Sequence, residues 1–177
     1  MSLLTPTPAP ALPTDDPLRS AIGGGVRVEW VDAGEVEERR LVWVDAVEDL
    51  VVRVASAVGL AGDAAFFLGV AVREAVVNAI RHGAGRDGAC QASVTLRITR
   101  RGSLVVSVQD RGRGFDPAAL PDPLCTDNLC RGSGRGIFYI RRFADRVTFS
   151  FPRGRGTVVR IEKRLPKGAV QRKPLTT

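Results

Sequence analysis

Hydrophobic residues recur at the spacing of one helix face in two stretches in the first half of the 177-residue chain. The first stretch is residues 46–58, where the apolar positions are Val47, Leu50, Val51, Val54 and Val58. A short break at 59–62 contains two glycines. The second stretch starts at Asp63, which suits an N-cap, and runs to about Arg81, just before Gly83. This pattern predicts two consecutive amphipathic helices.

Shorter apolar runs bounded by glycine, proline or polar residues predict strands. They span residues 26–30, 40–44, 92–99, 104–109, 146–151 and 157–163. A short helix is predicted over 136–143, and the hairpin signal Arg101-Gly102-Ser103 joins two of the strands. Late strands arranged as a meander, with a helix inserted, argue against a doubly wound dinucleotide fold. The order instead predicts an α/β (α+β) two-layer sandwich, with helices on one face of a mixed, mostly antiparallel sheet.

The two ends of the chain differ in composition from the part between them. Residues 1–25 are rich in proline and finish with Gly23-Gly24-Gly25, which predicts a flexible N-terminal arm. Residues 166–177 are interpreted as a loose, basic C-terminal tail. One folded domain is expected over 26–165.

Basic residues exceed acidic ones, with 26 Lys and Arg against 19 Asp and Glu and a net charge of +7. Such an excess can serve nucleic acid, an anionic small molecule or an acidic protein. The sequence contains no pattern of a recognition helix or a zinc finger, so direct nucleic-acid binding is not favoured. A solvated basic surface is the simplest interpretation of the excess.

The cysteines and the N-terminus indicate the compartment. Cys90, Cys125 and Cys130 are odd in number, have no repeated short spacing and are accompanied by one histidine, which makes both a disulfide framework and a zinc site poor interpretations. The N-terminus lacks the basic start and apolar block of a secretory signal. No apolar run approaches the roughly 20 residues that span a bilayer. We therefore expect a cytoplasmic protein without a membrane span.

The second predicted helix carries a polar stripe, formed by Glu74, Asn78, Arg81 and His82. Successive helix residues turn by about 100°, so these four share one face. The stripe combines a carboxylate, which can accept a proton or orient a nucleophile, with an amide oxygen of the kind that magnesium accepts. An ordinary solvent-facing stripe would have the same composition. Taken alone, the stripe leaves both interpretations open.

A second group of candidate residues, Asp110-Arg-Gly112-Arg-Gly114, begins where a predicted strand ends. The two glycines allow the backbone to bend and to approach a flat ligand closely. A carboxylate held at a strand end can accept a hydrogen bond from an exocyclic amine. A plain strand-to-loop turn remains an open alternative for this segment.

A glycine-rich segment, Gly132-Ser133-Gly134-Arg135-Gly136, opens the short predicted helix. Glycine-rich turns at a helix N-terminus present free backbone N–H groups and the positive end of the helix dipole to phosphate. The segment is not a P-loop, because no Gly-Lys-Ser/Thr follows. It would equally suit a flexible loop.

The three segments occur in one chain and in a fixed order, and together they resemble the N, G1 and G2 boxes of the GHKL ATPase superfamily, which includes gyrase and the histidine kinases. The amino-acid sequence of residues 74–83 and 133–140 resembles the sequences of the anti-sigma-factor serine-kinase branch of that superfamily. The likeness covers approximately residues 26–165. It implies the Bergerat, or histidine-kinase-like, ATPase fold.

The resemblance implies a role for each residue that matches a box. Glu74 matches the general base, and Asn78 matches the magnesium ligand. Asp110 matches the acid that reads the adenine amine, with Gly112 and Gly114 making room for the base.

The third box implies the phosphate contacts. Gly132, Gly134 and Gly136 match the glycines whose backbone wraps the phosphates, and Arg135 between them can also reach phosphate. A short lid is expected over residues 116–131.

The implied function is an ATP- and Mg²⁺-dependent serine/threonine protein kinase that acts as an anti-sigma regulatory factor and phosphorylates an anti-anti-sigma partner. The expected partners are that antagonist, a sigma factor and a second copy of the chain in a homodimer. His82 is interpreted as a helix-end residue and not as a catalytic one. The alternative is a non-catalytic ATP-binding module that sequesters a protein partner, although the intact Glu74 argues against it. A third class, a DNA-binding protein, would show steeply salt-dependent affinity for duplex.

Overall fold

The computed structural model describes residues 21, 25–32, 37–84, 90–114, 135–152 and 156–167. The expected N-terminal arm and C-terminal tail lie almost entirely outside these residues. The described elements are β1 (Val26–Asp32), α1 (Glu37–Ala57), α2 (Gly62–His82), β2 (Cys90–Ile98), β3 (Ser103–Asp110), α3 (Arg135–Phe143), β4 (Arg146–Ser150) and β5 (Val158–Arg164).

The strands form a five-stranded sheet in the order β1-β2-β3-β5-β4. Each described pairing is antiparallel. The helices pack on one face of this sheet, so the predicted two-layer fold class is confirmed. The predicted late meander is wrong, because β5 lies between β3 and β4. The connection through α3 carries β4 to the edge and leaves the side of β3 free for β5.

Every second side chain along the strands points from one face of the sheet into the core. Val94 and Leu96 of β2, Val106 and Val108 of β3 and Ile161 of β5 are almost completely buried. Residues between them, such as those of β2, are partly exposed on the other face. This period of two fixes which residues of each strand face the helices.

The structure corrects two boundaries in the helical part of the chain. The predicted strand over 40–44 is wrong, because these residues belong to α1. Trp43 and Val44 extend the buried stripe of α1 backwards at helical spacing, while Leu41 and Val42 are exposed. A short apolar run does not distinguish strand from helix by itself. The N-cap of α2 is Ala61, and Asp63 lies in the first turn instead of capping the helix.

Helices α1 and α2 pack antiparallel and very closely at Gly69. A Cβ added there would lie 2.6 Å from Val52 Cγ2 and 3.4 Å from Glu48 Cγ. One turn further along α2, Arg73 donates hydrogen bonds to the carboxylates of Asp45 and Glu48. These bonds, led by that to Asp45, raise the pKa of Arg73 above its usual value. The pair of helices is therefore fixed both by contact and by charge.

Helices α2 and α3 also run antiparallel, with a defined register. Near the start of α2, the ring of Phe67 stacks on Phe143 at the end of α3, with centroids 4.5 Å apart. Seven residues away on each helix, Gly136 of α3 lies against Glu74 of α2. The Phe67–Phe143 contact and the Glu74–Gly136 contact are thus separated by about 10 Å along the axis of each helix. The start of α3 is therefore held beside the middle of α2.

None of the helices in the described ranges combines the length and hydrophobicity needed to cross a bilayer.

The close approach at Gly69 gives a test of the helix packing. We expect Gly69→Ala to lower the free energy of unfolding by about 1–3 kcal/mol, because its methyl group would overpack against Val52. Gly62→Ala is the matched control, since a Cβ there meets no atom within 4 Å. The control should change stability by less than about 1 kcal/mol, in the stabilising direction. Chemical denaturation measures both, and equal values for the two variants would contradict the assigned contact.

Candidate functional site

The polar stripe of α2 lies at the edge of the helix layer. Glu74 and Asn78 are partly buried, whereas Arg81 and the side chain of His82 are exposed. The opposite side of the helix, including Val72 and Val76, is buried in the core. The sequence-based division of this helix into an apolar face and a polar face therefore agrees with the structure.

The start of α3 meets this stripe directly. A Cβ added at Gly136 would lie 2.7 Å from Glu74 Oε2 and 3.2 Å from Asn78 Nδ2. A side chain at position 136 would displace the Glu74 carboxylate, so glycine lets the backbone lie close to both groups without moving them. A helix N-terminus carries N–H groups that have no partner within the helix, together with the positive end of the helix dipole. Glu74 and Asn78 thus lie beside a region that is suited to an anionic ligand.

Asp110 ends β3 and is held in one orientation. The residue is only 8% exposed. Its Oδ1 accepts hydrogen bonds from the backbone N–H of Gly112 at 2.8 Å and of Thr157 at 3.0 Å. The backbone N–H of Asp110 in turn donates to the carbonyl of Thr157 at 3.0 Å. The hydrogen bonds that the described residues donate to this carboxylate both go to Oδ1.

The C-terminal end of α2 packs against the turn that follows Asp110. A Cβ added at Gly83 would lie 2.6 Å from Asp110 Cβ, and one added at Gly112 would contact the carbonyl oxygen of His82. Gly83 directly follows the last residue of α2 and is nine residues after Glu74, which corresponds to about 14 Å along the helix axis. The helix therefore joins two polar regions, one at Asp110 and the other at Glu74 and Asn78.

Of the remaining predicted site residues, some are described by the structure and others are not. Gly114 has a left-handed backbone, with φ of 77°, and lies against the ring of Phe151. Arg135 begins α3, and Gly136 follows it. Gly132, Gly134 and the expected lid lie outside the described residues.

Thr157 is a site residue that the sequence reasoning missed. It is 3% exposed, and both its backbone N–H and its carbonyl bond to Asp110. The preceding Gly156 has φ of 74° and packs against the Asp110 carbonyl. The sequence shows this pair only as Gly-Thr before a closing strand, a signal too common to assign a role.

A comparison with family models identifies the domain. The model of the histidine kinase-like ATPase domain matches residues 38–163 of the chain. The chain belongs to this family. Membership makes it an ATP-binding domain, and the resemblance to the GHKL superfamily predicted from the three boxes is confirmed.

The similarity to individual proteins is low in sequence identity. The chain is 31% identical over 97 residues to an anti-sigma F factor of Heyndrickxia coagulans. That match covers 53% of the chain and 65% of the relative, which is less than two thirds of the relative's length. Among solved structures, the histidine kinase domain of the blue-light activated histidine kinase of Erythrobacter litoralis EL346 is similar at 22% identity. It has a TM-score of 0.44 and covers 72% of this chain and 66% of that one.

The hydrogen bonds at Asp110 lead to a prediction about stability. Asp110→Ala removes the acceptor of two backbone N–H groups, so we expect the free energy of unfolding to fall by about 1–3 kcal/mol. Asp110→Asn keeps an oxygen that can accept both bonds and should cost clearly less. Denaturant titrations of the two variants test this, and equal losses would mean that these bonds do not hold the turn.

Proposed function

We propose that this domain is an ATP- and Mg²⁺-dependent serine/threonine protein kinase that acts as an anti-sigma factor and phosphorylates an anti-anti-sigma partner. The observation that carries the proposal is the position of Glu74 and Asn78 against Gly136, on the same helix that ends at the Asp110 turn. In this proposal Asp110 would recognise the base at one end of an elongated site, and Glu74 would lie at its phosphate end.

Asp110 would recognise the base end of ATP. With Oδ1 engaged by Gly112 and Thr157, Oδ2 would accept a hydrogen bond from the adenine amino group. A carboxylate fixed by backbone donors does not have to reorganise on binding, which favours selective recognition. Gly112 and Gly114 would let the turn approach the flat base.

The other end of the site would bind the phosphates and the metal. The side-chain oxygen of Asn78 would hold Mg²⁺, which prefers oxygen ligands and takes few of them from protein. The bound metal would neutralise charge on the phosphates. Gly136 fits this arrangement because a side chain there would fill the space beside both polar groups. Gly132, Gly134 and Arg135 are proposed to add phosphate contacts from the same segment.

Glu74 would act as the general base. Its carboxylate lies one turn before Asn78 and beside the start of α3, where the phosphates are proposed to bind. From there it would take the proton of the attacking serine or threonine hydroxyl. Phosphoryl transfer depends mainly on such positioning and on charge stabilisation.

The similarity to an anti-sigma F factor supports the partner proposal. That relative's name describes action against a sigma factor. For this chain we propose a sigma factor, an anti-anti-sigma protein and a second copy of the chain as partners, and a cytoplasmic location. The sigma factor follows from that relative's name, of whose length the match spans 65%. The anti-anti-sigma protein and the second copy follow from the resemblance of the three boxes to the serine-kinase branch.

Labelled ATP offered with a candidate anti-anti-sigma protein tests the kinase proposal. The wild type should transfer phosphate, whereas Glu74→Gln should lose transfer by about 100-fold or more while still binding ATP. Arg81→Gln is a matched control, because it changes an exposed charge on the same stripe of α2. Wild-type ATP binding without any transfer would favour the non-catalytic sequestering module instead.

The metal ligand is tested separately by calorimetry with and without Mg²⁺. For the wild type, we expect ATP to bind more tightly when Mg²⁺ is present. Asn78→Ala should remove this dependence, because the amide oxygen is lost. If the variant retains the full Mg²⁺ effect, Asn78 is not the ligand.

A further inference from the structure

Phe151 lies at the end of the sheet, beside residues of the proposed base site. β4 and β5 pair up to Ser150 and Val158, so the next residues outward are Phe151 and Thr157. On the other side of Thr157 is Asp110, which bonds to it through the backbone in both directions. The three residues therefore follow one another across the ends of β4, β5 and β3.

The alternation of the strands places these three residues on the face beneath the helices. Phe149, two residues before Phe151, packs against the core, and so does Val159, two residues after Thr157. Val108, two residues before Asp110, is also buried in the core. Since side chains alternate along a strand, Phe151, Thr157 and Asp110 extend the core-facing side of the sheet to its rim.

The contact with Gly114 fixes the position of the ring. A Cβ added at Gly114 would lie 3.0 Å from Phe151 Cδ1 and 3.6 Å from Cε1. Gly114 belongs to the turn after Asp110, so the ring lies beside the segment proposed to admit the base. Phe151 is nevertheless 43% exposed, unlike the large residues that precede it on this face. The ring is thus partly exposed to solvent at the rim of a polar site.

We propose that Phe151 is a binding determinant for the nucleotide base, an aromatic wall that packs against the purine beside Asp110. The inference rests on the proposed nucleotide site and adds a residue to it. Nucleotide pockets combine apolar walls with a few placed polar groups. Asp110 supplies the polar contact that distinguishes one base from another. Phe151 supplies a contact that any base can use, because every base has a π-face.

This division of roles separates the two residues experimentally. Equilibrium binding is measured for ATP, GTP and inorganic tripolyphosphate, each with Mg²⁺. Phe151→Ala should weaken ATP and GTP binding by the same factor, on the order of tenfold, and leave tripolyphosphate unchanged. Asp110→Asn should instead weaken ATP more than GTP. A ring that only supported the turn would also weaken both nucleotides, so the test needs a variant that keeps apolar bulk against Gly114.

Three further variants control the experiment. Phe151→Leu keeps apolar bulk on Gly114 and should show an intermediate loss, with a melting temperature that reports on folding. Phe151→Trp keeps a ring, should bind ATP within about twofold of wild type, and should change fluorescence on binding. Phe66→Ala removes an exposed phenylalanine eight residues before Glu74 and should leave all three affinities unchanged.

The outcomes distinguish this inference from the function on which it rests. If Phe151→Ala and Phe151→Leu bind ATP like the wild type while Asp110→Asn is impaired, the aromatic wall is wrong and the nucleotide site stands. Equal weakening of ATP and tripolyphosphate by Phe151→Ala also overturns it, because the loss would then be independent of the base. If the wild type binds no ATP, both fail.

Discussion

The contact between the end of α2 and the turn after Asp110 is the constraint on which the site depends. Gly83 and Gly112 allow two backbone segments to meet where any side chain would separate them. The same turn is tied to β5 through Thr157. One end of α2 is thereby locked to the sheet, and every residue on its polar face acquires a fixed distance from Asp110.

The rest of the site follows from the rigidity of that helix. Packing against α1 at Gly69 and against α3 at Phe67 and Gly136 leaves α2 little freedom to move along its axis. Overlapping contacts of this kind are what a pre-organised binding site requires, because ordering has already occurred before the ligand arrives. A ligand that bridges Asp110 and the start of α3 would span two regions whose separation is set by the fold.

The sequence predicted much of this arrangement, for reasons that differ from part to part. The long α2 was predictable because its apolar and polar residues recur at helical spacing and form two distinct faces. The boxes around Glu74 and Asp110 were predictable because they carry recognisable residue types. The start of α1 was not predictable, because the run around Trp43 is too short to separate helix from strand. Thr157 and Phe151 were missed because their neighbours are set by pairing between strands distant in sequence. No local pattern records that pairing.

A crystal structure of the chain with Mg²⁺ and a non-hydrolysable ATP analogue tests the central claim most directly. We expect the adenine amino group to lie at Asp110 Oδ2, the metal at the side-chain oxygen of Asn78, and the phosphates at the start of α3 near Glu74. A nucleotide bound elsewhere, or bound with its phosphates at Asp110, would contradict the account.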